Sequence, residues 1–496
     1  MMSLIPDSPV NSSSSSDGFG ALDDALATIS SDDDDEQELL SNTADDNNQE
    51  EELYLDNIID HDHDDEDNNN DDDFRVQSVK RRKVVVVGSE DKEDRNGTTS
   101  FVAVTEEEAT TSTKQKSEAS SENEQCCLEG RHPGFFGDMC VRCGVIVNDA
   151  SAVPVGYIHK NLKIVSDEMD RLRGSDLKSL LRNRKLYLVL DLDHTLLNST
   201  RLFDLSPEED YLNNQIDSLQ DIPKGSLFKL ERMHMMTKLR PFVRTFLREA
   251  SSMYEMYIYT MGEKAYALQM ADLLDPARVY FDCKVVSQAD CTEKHQKGLD
   301  VVLGADSAVV ILDDTEFVWS KHRENLILME RYHFFASSGR QFGFRFKSLS
   351  ESKIDESEAE GALANILNVL KRVHQMFFDL EHDADGMSRD VRQVLKTVRQ
   401  EILKGCRLVF SRVWKTGEIA HNQKLWEMAV QLGATCSTNL DSSVTHVVST
   451  DTGTDKAKWA EQHKKFLVHP RWIEAANYFW KRQSEEKFAV NPVQKK

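Results

Sequence analysis

The sequence predicts a doubly wound parallel α/β sheet followed by a second, smaller α/β module. Three observations carry this. Short, continuous apolar runs recur at residues 186–190 (LYLVL), 256–259 (MYIY) and 308–312 (AVVIL), and each ends on polar groups. Helical patterns lie between them, for example over 240–250 and 265–274. The charge is also divided along the chain. Residues 1–125 hold 35 acids and 9 bases, while the remainder holds 51 of each. The net charge of −26 therefore belongs to the head, and the body that follows is neutral. Collagenous and disulfide-stapled classes are excluded.

The head, residues 1–125, is rich in Asp, Glu, Ser and Asn and poor in aromatics. Its acidic runs repel themselves, and little apolar surface offsets the entropy of ordering, so disorder is expected. A solvating tail and a docking tail for a basic partner both fit. One basic island, Lys80-Arg81-Arg82-Lys83, has the form of a nuclear-import signal. Direct nucleic-acid binding is not expected, because the flanking anionic segments oppose phosphate contact. No apolar run is long enough for a membrane helix. The opening MMSLIPDSPV lacks signal-peptide order. Eight cysteines without scaffold spacing point to a reducing compartment, cytosol or nucleus.

Residues 126–150 contain a Cys/His knot. Cys140 and Cys143 form a C-x-x-C pair followed by Gly144, with Cys126, Cys127 and His132 upstream. Such soft ligands in a turn-rich segment fit structural zinc. Cys127, His132, Cys140 and Cys143 form the candidate set, with Cys126 as an alternative to Cys127; reduced, unliganded thiols are the plain reading.

The apolar run at 186–190 suits a strand buried on both faces. It leads into Asp191-Leu192-Asp193-His194-Thr195. Ligands bind at such carboxyl ends in open α/β sheets. Two close carboxylates repel unless a cation intervenes, and Mg²⁺ prefers oxygen ligands. Aspartate also serves as a covalent nucleophile toward phosphoryl groups. The second run ends at Thr260, whose hydroxyl suits a phosphate oxygen. Lys294 or Lys297 offers a cation, and the third run ends in Asp313-Asp314.

D-x-D-x-T followed by Thr, Lys and Asp-Asp resembles the haloacid dehalogenase superfamily. The strings LVLDLDHTLLNS, KLRPFVRTFL, YIYTMG and VILDDTEFVW resemble the FCP homology phosphatase domain over residues 178–350. The resemblance implies a protein serine/threonine phosphatase acting on the C-terminal heptad repeats of RNA polymerase II and regulating transcription. It implies Asp191 as nucleophile and Asp193 as acid and base. Thr260 would hold phosphoryl oxygens, and Lys297, in a Lys-x-Leu pattern, would neutralise charge. Asp191, Asp193, Asp313, Asp314 and the Leu192 carbonyl would hold Mg²⁺, with Mn²⁺ or Co²⁺ as substitutes. His194 reads as structural and Thr195 as loop support. Residues 201–236 exceed an ordinary crossover and are expected to shape a substrate groove. Trp319 and Arg240 are candidates for peptide contact or for scaffold.

Residues 351–400 read as a helical linker, with apolar spacing at Ile366, Val369, Leu370, Val373 and Phe377. Residues 401–492 alternate short strands with helices, and Gly433 follows a predicted helix, where a left-handed cap belongs. Gly433, the THVV run and Trp472 resemble a BRCT domain. By that resemblance Ser411, Thr454 and Lys456 are candidate phosphopeptide ligands, although Arg412 stands where glycine is common. Trp472 reads as core. General transcription factors are candidate partners of this module or of the tail. The competing reading is a phosphopeptide-binding scaffold with a degenerate phosphatase core.

Overall fold

The computed structural model describes residues 131–147, 151–343, 347–379, 389–415 and 417–490. The acidic head, the Lys80–Lys83 island, Cys126 and Cys127 lie outside the described residues. Among the described residues, no helix is long and apolar enough to cross a membrane.

The described chain opens on four very short strands, β1 (Gly134–Phe136), β2 (Met139–Cys140), β3 (Val153–Pro154) and β4 (Leu162–Ile164). They pair antiparallel in the order β2-β1-β4-β3. Helix α1 (Ser166–Arg182) follows, with Asp167 and Glu168 in its first turn and Arg182 in its last. Those charges complement the helix dipole. Arg173 of α1 donates to the carbonyls of Leu299, Asp300 and Val302. The Tyr157 hydroxyl donates to the Val301 carbonyl. The small sheet and α1 are thereby tied to the loop that follows Lys297.

The central sheet starts with β5 (Leu186–Leu190), all five residues of which are buried. Next comes an antiparallel sheet of β6 (Leu197–Arg201), β7 (Leu227–Leu230) and β8 (Met235–Leu239), in the order β6-β8-β7. The sequence predicts an insertion here, and the structure makes it a sheet. Its floor is a cluster of Leu212, Leu227, Met236, Tyr332, Phe334 and Phe335. Buried Glu209 pins it by accepting from the Ala336 amide and the Ser350 hydroxyl.

Helix α2 (Val243–Ser251), β9 (Tyr254–Tyr259), α3 (Lys264–Leu274), β10 (Val285–Val286), β11 (Val309–Asp313) and β12 (Leu326–Leu328) complete the core. The five strands are all parallel, in the order β10-β9-β5-β11-β12. That is the doubly wound sheet expected from the apolar runs. Two short helices follow, α4 (Ala336–Gln341) and α5 (Leu349–Ser352), then the long α6 (Ala362–Asp379) and α7 (Val391–Gln400). The apolar stripe of α6, from Ile366 to Phe377, is buried. The Tyr254 hydroxyl on β9 donates to the Leu370 carbonyl, linking α6 to the sheet.

The last module has β13 (Arg407–Ser411), α8 (Lys424–Gln431), β14 (Thr435–Ser437), β15 (His446–Ser449), α9 (Asp455–Gln462), β16 (Phe466–Val468) and α10 (Arg471–Phe479). Its four strands are parallel, in the order β14-β13-β15-β16. Gly433 has φ +91°, and a Cβ there would lie 1.8 Å from the Gln400 carbonyl oxygen. Only glycine fits both the left-handed backbone and that close approach. Trp472 is fully buried and stacks on His446.

Candidate functional site

The carboxyl ends of β5 and β11 form one buried charge cluster. Asp191 follows β5 directly, and its amide extends the ladder by donating to the Leu312 carbonyl. Asp313 ends β11 and Asp314 follows it. Carboxylate oxygens of Asp191, Asp313 and Asp314 lie within 4.8 Å of one another. The Lys297 Nζ donates to Asp191 Oδ1 at 2.6 Å and to Asp313 Oδ2 at 2.7 Å. Lys297 is buried while Lys294 is exposed, so the structure separates the two lysines that the sequence left open.

Three acids share this space with one lysine and Arg331, whose Nε donates to Asp314 Oδ2 at 2.8 Å. Burial and the neighbouring Asp313 raise Asp191 well above the carboxylate range, with Lys297 opposing them. Burial raises Asp313 as well. Burial also works against the Asp314 charge, but Arg331 outweighs it and Asp314 stays low. For Lys297 burial disfavours the charge, yet Asp191 and Asp313 more than offset it. An all-oxygen donor set with mutually repelling, buried carboxylates fits a hard divalent cation.

Asp193 stands apart from this trio. Its Oδ1 accepts from the Tyr266 hydroxyl at 2.5 Å. Tyr266, on α3, also shares a hydrogen bond with Ser199 of β6, which reaches Thr237 of β8. Burial raises Asp193, with Tyr266 opposing. The structure thus brings together three of the four predicted metal carboxylates and gives the fourth its own partner. The Leu192 carbonyl accepts the amides of Thr195, Leu196 and Leu197 inside the turn.

Thr260 is buried at the end of β9, and its Oγ1 accepts from the Gly262 amide at 3.0 Å. Thr195 donates to Asp314 Oδ1 at 3.2 Å, as loop support requires. His194 has φ +62° and packs against His333 and Phe342. Its carbonyl accepts the Tyr332 amide.

Of the two roles open to Trp319 and Arg240, peptide contact or scaffold, their burial favours scaffold. Trp319 is fully buried, and its Nε1 donates to Asp313 Oδ2 at 2.8 Å. Arg240 is 1% exposed and donates to the His194 and Thr195 carbonyls and to Glu356. Both are scaffold, because the core needs their donors. Tyr266 and Arg331 are the site residues that sequence reasoning missed. An aromatic on a helix face reads as core. An arginine 17 residues beyond Asp314 carries no local signal.

The Cys/His knot brings His132, Cys140 and Cys143 together. Burial disfavours the Cys140 thiolate, but donation from the Cys143 and Arg142 amides outweighs it and lowers the thiol to about 6.

In the last module, Ser411 donates to Thr454 Oγ1 at 2.9 Å, and Thr454 caps α9 by accepting the Ala457 amide. The Lys456 Nζ donates to the Phe410 and Thr438 carbonyls. Arg412 adopts φ +53°, the conformation that glycine takes readily, and pairs with Asp451.

The family of NLI interacting factor-like phosphatases matches residues 186–358, and that of the BRCA1 C Terminus (BRCT) domain matches 398–476. The chain is 58% identical over 371 residues to RNA polymerase II C-terminal domain phosphatase-like 4 of Arabidopsis thaliana, covering 74% of this chain and 84% of that protein.

The chain belongs to the RNA polymerase II C-terminal domain phosphatase family.

A second member, phosphatase-like 3 of Arabidopsis thaliana, is 41% identical over 345 residues, covering 67% of this chain but 28% of that protein. The solved structure of Fcp1, an essential RNA polymerase II CTD phosphatase, matches 65% of this chain and all of that one. Its TM-score is 0.51 at 24% identity, which supports the fold. As a member of this family the chain is a protein phosphatase with an FCP-type catalytic domain and a BRCT domain, and the family's chemistry uses a divalent metal.

Proposed function

We propose that this phosphatase removes phosphate from serine or threonine in the heptad-repeat C-terminal domain of RNA polymerase II, with Mg²⁺ as its metal. The observation that carries the reading is the buried Asp191–Lys297–Asp313 cluster at the carboxyl ends of β5 and β11. The named activities of the relatives supply the substrate.

In the mechanism, Asp191 attacks phosphorus and the bond to the serine or threonine oxygen breaks. Asp193 gives its proton to that leaving oxygen, a role that its raised proton affinity favours. An aspartyl-phosphate on Asp191 results. Asp193, now ionised, takes a proton from water as the water attacks phosphorus. Inorganic phosphate leaves and both aspartates are restored. Lys297 holds Asp191 in place and neutralises charge on the phosphoryl oxygens, and the Thr260 hydroxyl is a further donor to them. Tyr266 positions Asp193. Asp191, Asp313 and Asp314 would hold Mg²⁺, which supplies charge neutralisation to the phosphoryl group.

The reading extends to place. The basic Lys80–Lys83 island and the substrate support a nuclear location. The BRCT domain is read as docking a phosphorylated or transcription-linked protein partner near the polymerase tail.

The test is phosphate release from a phosphorylated heptad peptide with Mg²⁺, by wild type and by Asp191→Asn. Release by wild type alone is expected, and chelation with EDTA should abolish it. Equal release by both proteins would overturn the role of Asp191. No release by a folded wild type would favour a phosphopeptide-binding scaffold.

A further inference from the structure

We propose that His132, Cys140 and Cys143 form a structural zinc site that holds the small β1–β4 sheet together. The donor atoms converge within 4.8 Å of one another. His132 Nδ1 and Cys143 Sγ are 3.5 Å apart. Two corners of a tetrahedral zinc site, at Zn–S of about 2.3 Å and Zn–N of about 2.1 Å, are separated by about 3.6 Å. The backbone already has the shape of a metal knuckle. Cys140 ends β2, and the Gly144 amide closes the turn on the Cys140 carbonyl at 3.0 Å. Gly144 has φ +73°, which lets the chain reverse immediately after Cys143. The Arg142 amide points at Cys140 Sγ from 3.4 Å and would stabilise a thiolate ligand.

A second observation is the poverty of this sheet's core. Its strands are two or three residues long. Phe135, Cys140 and Ile164 are the buried apolar residues of its strands, with Val155 and Tyr157 beside them, yet Phe136, Met139, Val141, Val145 and Ile146 are all exposed. Apolar burial alone does not hold so small a unit, and a metal staple is the usual remedy. Three protein donors leave a fourth tetrahedral corner to a further donor or to solvent. Cys126 and Cys127 lie outside the described residues, and the assignment does not rest on them.

The full chain, dialysed against metal-free buffer, should retain about one zinc per molecule by elemental analysis. Blocking thiols with an organomercurial should release that zinc to a metallochromic dye. This arm uses wild-type protein and does not depend on any variant folding. Cys143→Ser should lose most of the zinc, Cys143→His should keep it, and Cys283→Ser, an exposed cysteine outside the cluster, should not change it. Replacing zinc with Co²⁺ should give a sulfur-to-metal charge-transfer band. Zinc far below one equivalent, zinc that thiol blocking does not release, or a Cys140–Cys143 disulfide in freshly isolated protein would each overturn the proposal.

Discussion

The two parallel sheets of this molecule place polar side chains in the same position, at the carboxyl ends of central strands, and arm them differently. In the five-stranded sheet the ends of β5 and β11 carry Asp191 and Asp313, bridged by Lys297. In the four-stranded sheet the ends of β13 and β15 carry Ser411 and Ser449, registered side by side. The hydroxyl crevice satisfies itself. Ser411 donates to Thr454, Thr454 caps a helix, and Lys456 is spent on backbone carbonyls. The carboxylate crevice cannot do so, because its acids outnumber the cations beside them and burial opposes their charge. It is completed only by added positive charge. One position in a fold thus yields a cluster of buried carboxylates or a self-satisfied hydroxyl crevice, according to which residues stand there.

The sharpest way to break this contrast is to remove a charge. Asp191→Asn keeps shape and volume, and should lower turnover by at least about 10³-fold, as losing a covalent nucleophile does. Steady-state phosphate release checks it, with an unchanged melting temperature as the control. Lys297→Met should cost about 10²-fold or more in turnover. It should also destabilise the fold by about 3–5 kcal/mol, because two buried carboxylates lose their partner. Thermal denaturation separates the two effects.

Tyr266→Phe should act more gently. It removes the donor to Asp193 without emptying space, so kcat should fall about 10–100-fold while KM stays close to wild type. A KM that rises with unchanged kcat would place Tyr266 in substrate binding instead. On the hydroxyl side, Ser411→Ala should leave turnover of a short heptad peptide unchanged. It should cost only about 1 kcal/mol of stability, since the Thr454 cap on α9 remains.

The smallest expected effect concerns pH. His446 is buried between Phe466 and Trp472 and is held below the usual imidazole range by burial. The folded state therefore binds its proton less readily than the unfolded chain. Its contribution is full above about pH 6.5 and is lost as pH falls toward the lower folded value, by at most about 1.4 kcal/mol per pH unit. Melting temperature against pH, compared with His446→Phe, checks this.

Much of this contrast was legible in the sequence, because apolar runs and acidic ends are local features. The run at 186–190 is β5 residue for residue, and Gly433 takes the left-handed turn its position implies. The antiparallel sheet over Leu197–Leu239 was not legible. Its first strand, LNSTR, is polar, and the strand is held by pairing with β8 rather than by an apolar face of its own. β14, with the sequence TCS, failed to register for the same reason. At the site, Asp191 and Asp313 could be read from order and spacing, whereas Lys297 was set apart from Lys294 only by the family resemblance and by its burial. The bonds from Tyr266 to Asp193 and from Arg331 to Asp314 depend on distant elements meeting, which no local pattern encodes.

The most direct test of the central claim is to trap the covalent step. Wild-type protein, quenched in acid during turnover of a phosphorylated heptad peptide with Mg²⁺, should carry a phosphoryl group on Asp191 by peptide mass spectrometry. Asp191→Asn treated in the same way should carry none. A phosphoryl group found elsewhere, or undiminished phosphate release by Asp191→Asn, would contradict the assignment of the carboxylate crevice as the reacting centre.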